Sequence, residues 1–393
     1  MSGPFSILDV LYNAVVELQK VDPNVTLPDL NVYWSSANST ASGNVTKGEI
    51  STSHFRAEGT MPGLFILGKA DVDTDEFDQG VIGHEFGHYL QAHLSYDDSP
   101  GGNHSYVDYK DASLAFSEGY GTAIGGLLSQ SNYYVDSSGP QQQWGSVDDL
   151  SVAPADNVHC GFYAEDWIFH LLYGIGTRHG FEPFWNAVSA LRAGHHSATI
   201  FAFVHHYKRL NPALYIDDLL AAANIKSADP LGNLGAGSVP DTAIDKIRSK
   251  GADDLEVQYL TLQLIPASGA APARELVTPR SPGFCVNHQL PGAGLHNGLG
   301  MSRRFVFQAP VSGTLDIAPV DDRGKSFSTQ TAEVMARDDT GQQIEVNDGD
   351  YGLGTIDVIA GRTYALKVTV TDPDSVFRGN RCGNRLRLWM RRS

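Results

Sequence analysis

The stretch VIGHEFGHYLQAH, residues 81–93, carries the side chains best suited to chemistry: His84, Glu85 and His88. On an α-helix, residues four positions apart lie on the same face, so His84 and His88 can present imidazole nitrogens to one metal ion. Zinc accepts such nitrogen ligands at about 2.0–2.1 Å. Glu85 is rotated by about 100° around the helix, where it can reach a water molecule beside the metal without binding the metal. The pattern H-E-x-x-H therefore predicts a catalytic zinc site with Glu85 as the general base.

A catalytic zinc ion needs a third protein ligand and an open position for water. One known spacing, H-E-x-x-H-x-x-G-x-x-H, is excluded because Leu94 occupies the last position and His93 is one residue away from it. The alternative is a carboxylate on a second helix, and the segment DASLAFSEGYGTAIGGLL supplies Glu118. His104 and Asp111 are the rival ligands.

Glycines accompany the ligands on both predicted helices, with Gly83 and Gly87 on the first and four more in the second segment. A glycine inside a helix costs about 1 kcal/mol relative to alanine. Glycine also allows another backbone to come close. The composition therefore predicts a tight crossing of the two helices, which would let Glu118 reach the metal.

HEFGH followed by S-E-G on the next helix resembles the gluzincin metallopeptidases, the broad group that includes thermolysin. The longer run DTDEFDQGVIGHEFGHYL, AFSEGYG and GFYAEDWIFHLLYGI resembles secreted bacterial members of that group, and the likeness covers roughly residues 1–225. It implies that His84, His88 and Glu118 bind zinc, that Glu85 is the general base, and that the substrate is a peptide or protein.

The match to the gluzincins is incomplete at the residue that orients a ligand histidine. Thermolysin-like enzymes have an aspartate four residues after the third ligand, whereas this chain has Thr122, so Asp111 is the candidate for that role. The resemblance also implies a Tyr or His that stabilises the oxyanion. We expect Tyr163, with His159 and His104 as alternatives; His104 lies in a glycine-rich loop.

Along the chain, helical periodicity and short alternating segments predict an α+β protein. We expect a zincin-like metallopeptidase domain at 1–275, with strands and active-site helices in 1–130 and a helical subdomain in 155–225. A linker follows at 276–282. The region 283–393 is expected to be an all-β sandwich.

The stretch RRFVFQAPVSGTLDIAP resembles the pre-peptidase C-terminal β-sandwich of secreted bacterial proteases, which implies a part in secretion or substrate binding. Cys285 and Cys382 lie near the two ends of this region, so their positions are compatible with a disulfide, and Cys160 would be left over. We expect a secreted or periplasmic protein whose leader is absent from this chain.

The formal net charge of −17 argues against nucleic-acid binding, which needs clustered Lys and Arg. No run approaches the roughly 18 apolar residues of a membrane span.

Asp71, Asp73 and Asp75 alternate as in a calcium loop but lack its glycine and distal glutamate, so helix capping and solvation are favoured over Ca²⁺. Two histidine pairs, 195–196 and 205–206, are expected on helix surfaces.

These observations predict a zinc metalloendopeptidase that hydrolyses peptide bonds. Two alternatives remain open at this level: a non-catalytic binding or adhesion protein with a structural zinc site, and a zinc hydrolase of a non-peptide amide or ester. The shape of the cleft decides substrate, and no motif encodes that shape.

Overall fold

The computed structural model describes residues 2–101, 104, 109–155, 161–225, 260–262, 264–265, 274–275, 278–279, 284–286, 302–320, 332–347, 354–370 and 381–391. The helices are α1 (Gly3–Val21), α2 (Gln79–Leu94), α3 (Ala112–Ser129), α4 (Glu165–His179), α5 (Phe181–Ser189), α6 (Ile200–Leu210) and α7 (Asp217–Ala222). The strands of the first half are β1 (Val32–Trp34), β2 (His54–Arg56), β3 (Gly63–Ile66), β4 (Tyr133–Ser138) and β5 (Trp144–Asp149).

The strands of the second half are β6 (Leu260–Thr261), β7 (Leu264–Ile265), β8 (Arg274–Glu275), β9 (Thr278–Pro279), β10 (Phe284–Val286), β11 (Ser302–Gln308), β12 (Gly313–Val320), β13 (Ala332–Asp338), β14 (Gln343–Ile344), β15 (Gly354–Val358), β16 (Thr363–Val370) and β17 (Arg381–Arg391). The chain is therefore an α+β protein with a sheet-rich C-terminal part, as the sequence predicts.

The N-terminal part combines helix α1 with a three-stranded sheet in the order β1-β3-β2. Strand β3 is central, parallel to β1 and antiparallel to β2, and all four of its residues are buried. Helix α1 buries Ile7, Val10, Ala14 and Leu18, a spacing that keeps one apolar stripe towards the core. This layer supports one face of α2, and β1 and β2 are the two edge strands of its sheet.

Helices α2 and α3 cross at interlocked glycines. A Cβ added to Gly83 would lie 2.9 Å from the Cα of Gly125, and one added to Gly87 would lie 2.9 Å from the Cα of Gly121. Backbone therefore touches backbone at two successive turns, which confirms the predicted tight crossing. The close approach lets the short Glu118 side chain on α3 meet the two histidines on α2.

Helices α4 to α7 account for most of the described residues from 161 to 225, and they share one large apolar core with α2 and α3. The hairpin β4–β5 follows α3 and was not predicted from the sequence. It packs beside the N-terminal end of α2, because Asp78 accepts hydrogen bonds from both the backbone amide and the hydroxyl of Ser137.

The C-terminal part consists mainly of two five-stranded sheets, in the orders β10-β17-β12-β15, with β8 on β17, and β14-β13-β16-β11-β6. Alternate residues of both sheets, such as Phe305 and Leu366 on one and Leu315 and Leu388 on the other, share a single apolar core. Apolar core residues recur at every second position of these strands, as the sequence predicts. We call these two sheets the C-terminal sheets.

The C-terminal sheets contact the helical part through buried cations. Arg304 on β11 donates to Asp111 at 3.0 Å and to Ser113 at 2.7 Å, and Lys367 on β16 donates to the carbonyl of Asp98. Arg337 on β13 lies 3.4 Å from the ring centroid of Tyr96. These contacts converge on the segment that follows α2 and on the start of α3.

Some expectations fall outside the described residues. The predicted linker is described only at Thr278–Pro279 of its range, Cys160 is not described, and the side chains of Cys285 and Cys382 are not described either. The backbones of the strands that carry those two cysteines, β10 and β17, are paired antiparallel. Among the described helices, none has the length and apolarity needed to cross a membrane.

Candidate metal centre

His84, His88 and Glu118 meet in one group between α2 and α3. The Nε2 atoms of the two histidines are 3.0 Å apart, and Glu118 Oε2 lies 3.2 Å from His84 Nε2 and 3.4 Å from His88 Nε2. Each residue offers one ligand atom, and all three atoms point at the same small volume. The sequence therefore identified three side chains that the fold brings together.

These distances fit a tetrahedral zinc ion. Ligands at about 2.0–2.1 Å from zinc at tetrahedral angles lie about 3.3 Å from one another. The observed separations of 3.0, 3.2 and 3.4 Å bracket that value. Two imidazoles and one carboxylate are also a donor set that zinc accepts, with a fourth position left for water.

Each ligand histidine is oriented through its other ring nitrogen. His84 Nδ1 lies 2.9 Å from Thr122 Oγ1, and His88 Nδ1 lies 3.4 Å from Ser117 Oγ. If Nε2 bound a metal ion, Nδ1 would carry the proton and donate a hydrogen bond to the hydroxyl, which would fix the tautomer and the ring plane. Ser117 passes its own hydrogen bond to Gln91, at 2.9 Å.

The role expected for Asp111 is therefore wrong. Asp111 caps α3, accepting from the Ser113 amide at 3.0 Å, and pairs with Arg304, whereas Thr122 holds the histidine. Threonine can substitute for aspartate here because the Nδ1–H group needs an acceptor oxygen and not a charge. Asp111 as a rival ligand is excluded by the same contacts.

The three ligands are electrostatically coupled. Burial alone would lower the pKa of His88, but the Glu118 carboxylate outweighs burial and raises it to about 9. Burial raises the pKa of Glu118, and the two histidines outweigh that effect and hold it well below its usual value. The carboxylate is thus ionised, as a metal ligand must be.

Glu85 lines the cleft between the two histidines, as the helical rotation predicts, and it is largely buried. The cleft has a volume of about 930 Å³ and runs from edge strand β2 past the ligands to the hairpin β4–β5.

His104 is close to the ligands without completing the set of three. Its Nε2 atom lies 3.6 Å from Glu118 Oε2 and 3.8 Å from Glu165 Oε2. Glu165, the first residue of α4, also lies 3.1 Å from the ammonium group of the fully buried Lys110. Because Lys110 already compensates the charge of Glu165, we do not assign a second metal ion to His104, Glu118 and Glu165.

Tyr134 on β4 lines the cleft, and the sequence analysis missed it. Its ring centroid is 6.3 Å from that of His84. Burial raises the pKa of the phenol well above its usual value, and the carboxylates of Asp136 and Glu85 raise it further. The phenol therefore keeps its proton at pH 7 and can donate a hydrogen bond within the cleft. Its position depends on a hairpin that no sequence motif indicates.

Tyr163, the expected oxyanion residue, is placed elsewhere. Its side chain is 3% exposed and packs in the apolar core, with its ring centroid 4.1 Å from that of Phe162. Among the described residues that line the cleft, Tyr163 does not appear. His159 lies outside the described residues. Of the expected donors, His104 is the one that the fold brings to the ligands.

Of the four histidines in the two pairs, His205 is partly exposed on α6, whereas the other three are not on helix surfaces as expected. His206 on α6 is buried, and His195 and His196 are half-buried in the loop that precedes α6. The ring of His196 lies 5.9 Å from that of His206. Their pKa values are lowered, first by burial, to about 3 for His196 and about 4 for His206, so both rings are neutral at pH 7.

The expectation that the carboxylates of this segment are solvated or cap a helix is wrong for Asp75. Asp75 is 3% exposed, and α2 begins after Asp78, whose side chain makes no capping hydrogen bond. Asp71 is exposed, as expected, and accepts from the Gln141 amide at 3.1 Å.

Comparison of the chain with models of known protein families gives no match. Comparison with curated proteins gives no significant match.

Proposed function

We propose that this protein is a zinc-dependent metallopeptidase. The observation that carries the proposal is the convergence of His84, His88 and Glu118 at zinc-ligand spacing, with Glu85 in the same cleft. The proposal includes a zincin-like arrangement of α2, α3 and the three-stranded sheet, and the secreted or periplasmic location that the resemblance to gluzincins implies.

A zinc ion in this site would lower the pKa of a water molecule towards about 7 and polarise the scissile carbonyl. Glu85 takes a proton from the attacking water and delivers it to the leaving amine. Tyr134 and His104 both line the cleft near the ligands and can donate to the carbonyl oxygen as it becomes negative. Thr122 and Ser117 keep the histidine rings oriented throughout.

A peptide is favoured as substrate because the cleft is bordered by a free strand edge. Strand β2 is the last strand of its sheet, and His54, Phe55 and Arg56 all line the cleft. An extended peptide can add to such an edge through main-chain hydrogen bonds, which brings one of its carbonyls to the ligands.

The test is the substitution Glu85→Gln in the zinc-loaded protein, with Glu182→Gln, on the exposed surface of α5, as the control. We expect Glu85→Gln to keep one equivalent of zinc and to lose cleavage of denatured casein by at least 10²-fold. The control should retain both. Full activity in Glu85→Gln would refute the proposed mechanism, and zinc binding without cleavage of any peptide by the unmodified protein would favour a binding protein.

A further inference from the structure

A second group of acidic side chains lies in the same cleft, away from the zinc ligands. Asp73 and Asp75 belong to the segment that enters α2, and Asp136 lies on β4. One carboxylate oxygen from each of the three lies within 4.8 Å of the others. An isolated backbone pairing between Asp73 and Ser138 holds the two segments side by side.

Two oxygens of this group are buried with no hydrogen-bond donor. Asp75 is 3% exposed; its Oδ2 accepts from Ser53 at 2.5 Å, whereas its Oδ1 has no partner. Asp73 Oδ1 is also buried without a partner. An ionised carboxylate can only accept, so two such oxygens cannot satisfy each other. A cation or a shared proton must lie between them.

The protein supplies little positive charge to this group. Within the described part of the chain, no Lys or Arg forms an ion pair with Asp73, Asp75 or Asp136. Burial and, after it, the neighbouring Asp73 together raise the pKa of Asp75 to about 9. Burial and then Asp73 and Asp78 raise the pKa of Asp136 to about 6. Without a bound cation, ionising all three carboxylates at pH 7 is unfavourable.

We propose that Asp73, Asp75 and Asp136 bind a hard divalent cation, with calcium as the first choice. Carboxylate oxygens are the ligands that calcium and magnesium prefer, and calcium tolerates the irregular geometry of a loop and a strand better than magnesium does. The donor set contains no nitrogen or sulfur, which separates this site from the zinc site. The chain's sequence alone favoured capping and solvation because Asp136 is remote in sequence.

The cation would connect the hairpin β4–β5 to the segment entering α2. Asp136 and Tyr134 are two residues apart on β4, and both line the cleft. Asp75 precedes the helix that carries His84. Binding would therefore fix the hairpin against the zinc helix and hold Tyr134 in place. This inference does not depend on peptidase activity, because cation binding and stability can be measured directly.

The experiment uses the full chain loaded with zinc, titrated with calcium chloride and, separately, magnesium chloride at constant ionic strength. We expect calorimetry to show one calcium site and the Tm to rise by a few degrees at saturating calcium. Asp75→Asn and Asp136→Asn should fold, because an amide can donate where a proton would otherwise be needed, and should lose the calcium-dependent shift.

The matched control is Asp71→Asn, which removes the same charge from the same segment but lies outside the group. It should keep the calcium response. A response to magnesium and not calcium would support the divalent site and reassign its ion. The proposal would be overturned if the unmodified protein responded to neither ion. If its Tm also fell as pH rose from 5 to 9, a shared proton would occupy the group instead of a cation. An undiminished response in Asp75→Asn and Asp136→Asn would overturn it as well.

Discussion

Arg304 of the C-terminal sheets donates to Asp111, the residue that caps the helix carrying Glu118. The same guanidinium reaches Ser113 on that helix and the hydroxyl of Ser197, which in turn donates to Asp98. The C-terminal sheets therefore contribute buried charge directly beneath the ligand helices. These contacts give the C-terminal sheets a structural part in the fold of the ligand helices.

We expect Arg304→Ala to destabilise the protein strongly. The substitution removes the guanidinium that lies beside the buried carboxylates of Asp111 and Asp98. We expect a loss of about 3 kcal/mol in the free energy of unfolding, at the low end for breaking a buried ion pair, because Lys367 remains near Asp98. Urea unfolding of the two proteins measures the difference. Arg178→Ala removes an exposed pair with Asp218 and should cost under about 1 kcal/mol. Equal losses in the two variants would contradict this account.

The same pair predicts sensitivity to acid. Burial raises the pKa of Asp111, but Arg304 and Lys367 outweigh it and hold the pKa well below its usual value. A folded-state pKa below the unfolded one gives stability that is present above about pH 4 and lost as pH falls further. The advantage of the unmodified protein over Asp111→Asn in unfolding free energy should therefore shrink between pH 6 and pH 3. A difference that stays constant over this range would exclude the ionised pair.

Thr122 is expected to tune zinc affinity without contacting the metal. Thr122→Val keeps the volume but removes the oxygen that His84 Nδ1 contacts at 2.9 Å. Loss of such a partner typically weakens metal binding by about 10–100-fold. Competition with a chromophoric chelator measures the affinity, and Thr122→Ser should restore most of it. If valine and serine variants bind zinc equally, the hydroxyl does not orient the ring.

Alanine substitutions at two glycines are expected to change the stability of the protein in opposite directions. Gly83→Ala places a Cβ 2.9 Å from the Gly125 backbone, and relieving that overlap costs about 1–3 kcal/mol, which exceeds the gain of about 1 kcal/mol in helix propensity. In Gly174→Ala, on α4, the added Cβ meets only the Leu219 side chain at 3.7 Å, so the protein should become more stable. Thermal unfolding of both variants checks the pair of signs.

The sequence predicted those parts of the site that depend on local periodicity. His84, Glu85 and His88 follow from spacing on one helix, and the glycines indicated the crossing that brings in Glu118. The orienting role of Thr122 was assigned wrongly to Asp111. An imidazole N–H group can donate to any acceptor oxygen, and the angle at which the two helices cross decides which residue supplies that oxygen.

Contacts between segments that are distant in sequence could not be predicted, for the same reason. The pairing of Lys110 with Glu165, the approach of Asp136 to Asp75 and the insertion of Arg304 beside Asp111 join residues that no periodicity relates. Each of these charges, taken alone in sequence, is typical of a solvated surface. Their burial is decided by how the hairpin and the C-terminal sheets pack against the helices.

Tyr134 and His104 can be separated by their effects on turnover. Under the proposed mechanism, Tyr134→Phe removes a proton donor from the cleft while keeping the ring that packs against Gly80. Loss of an oxyanion donor lowers kcat by about 10²–10³-fold. Zinc content and KM should change little, because the phenol is needed mainly when charge develops on the carbonyl oxygen. His104→Leu is the parallel variant because leucine has no hydrogen-bond donor, and whichever of the two lowers kcat at unchanged zinc content and KM is the donor. If both retain kcat, neither side chain stabilises the transition state.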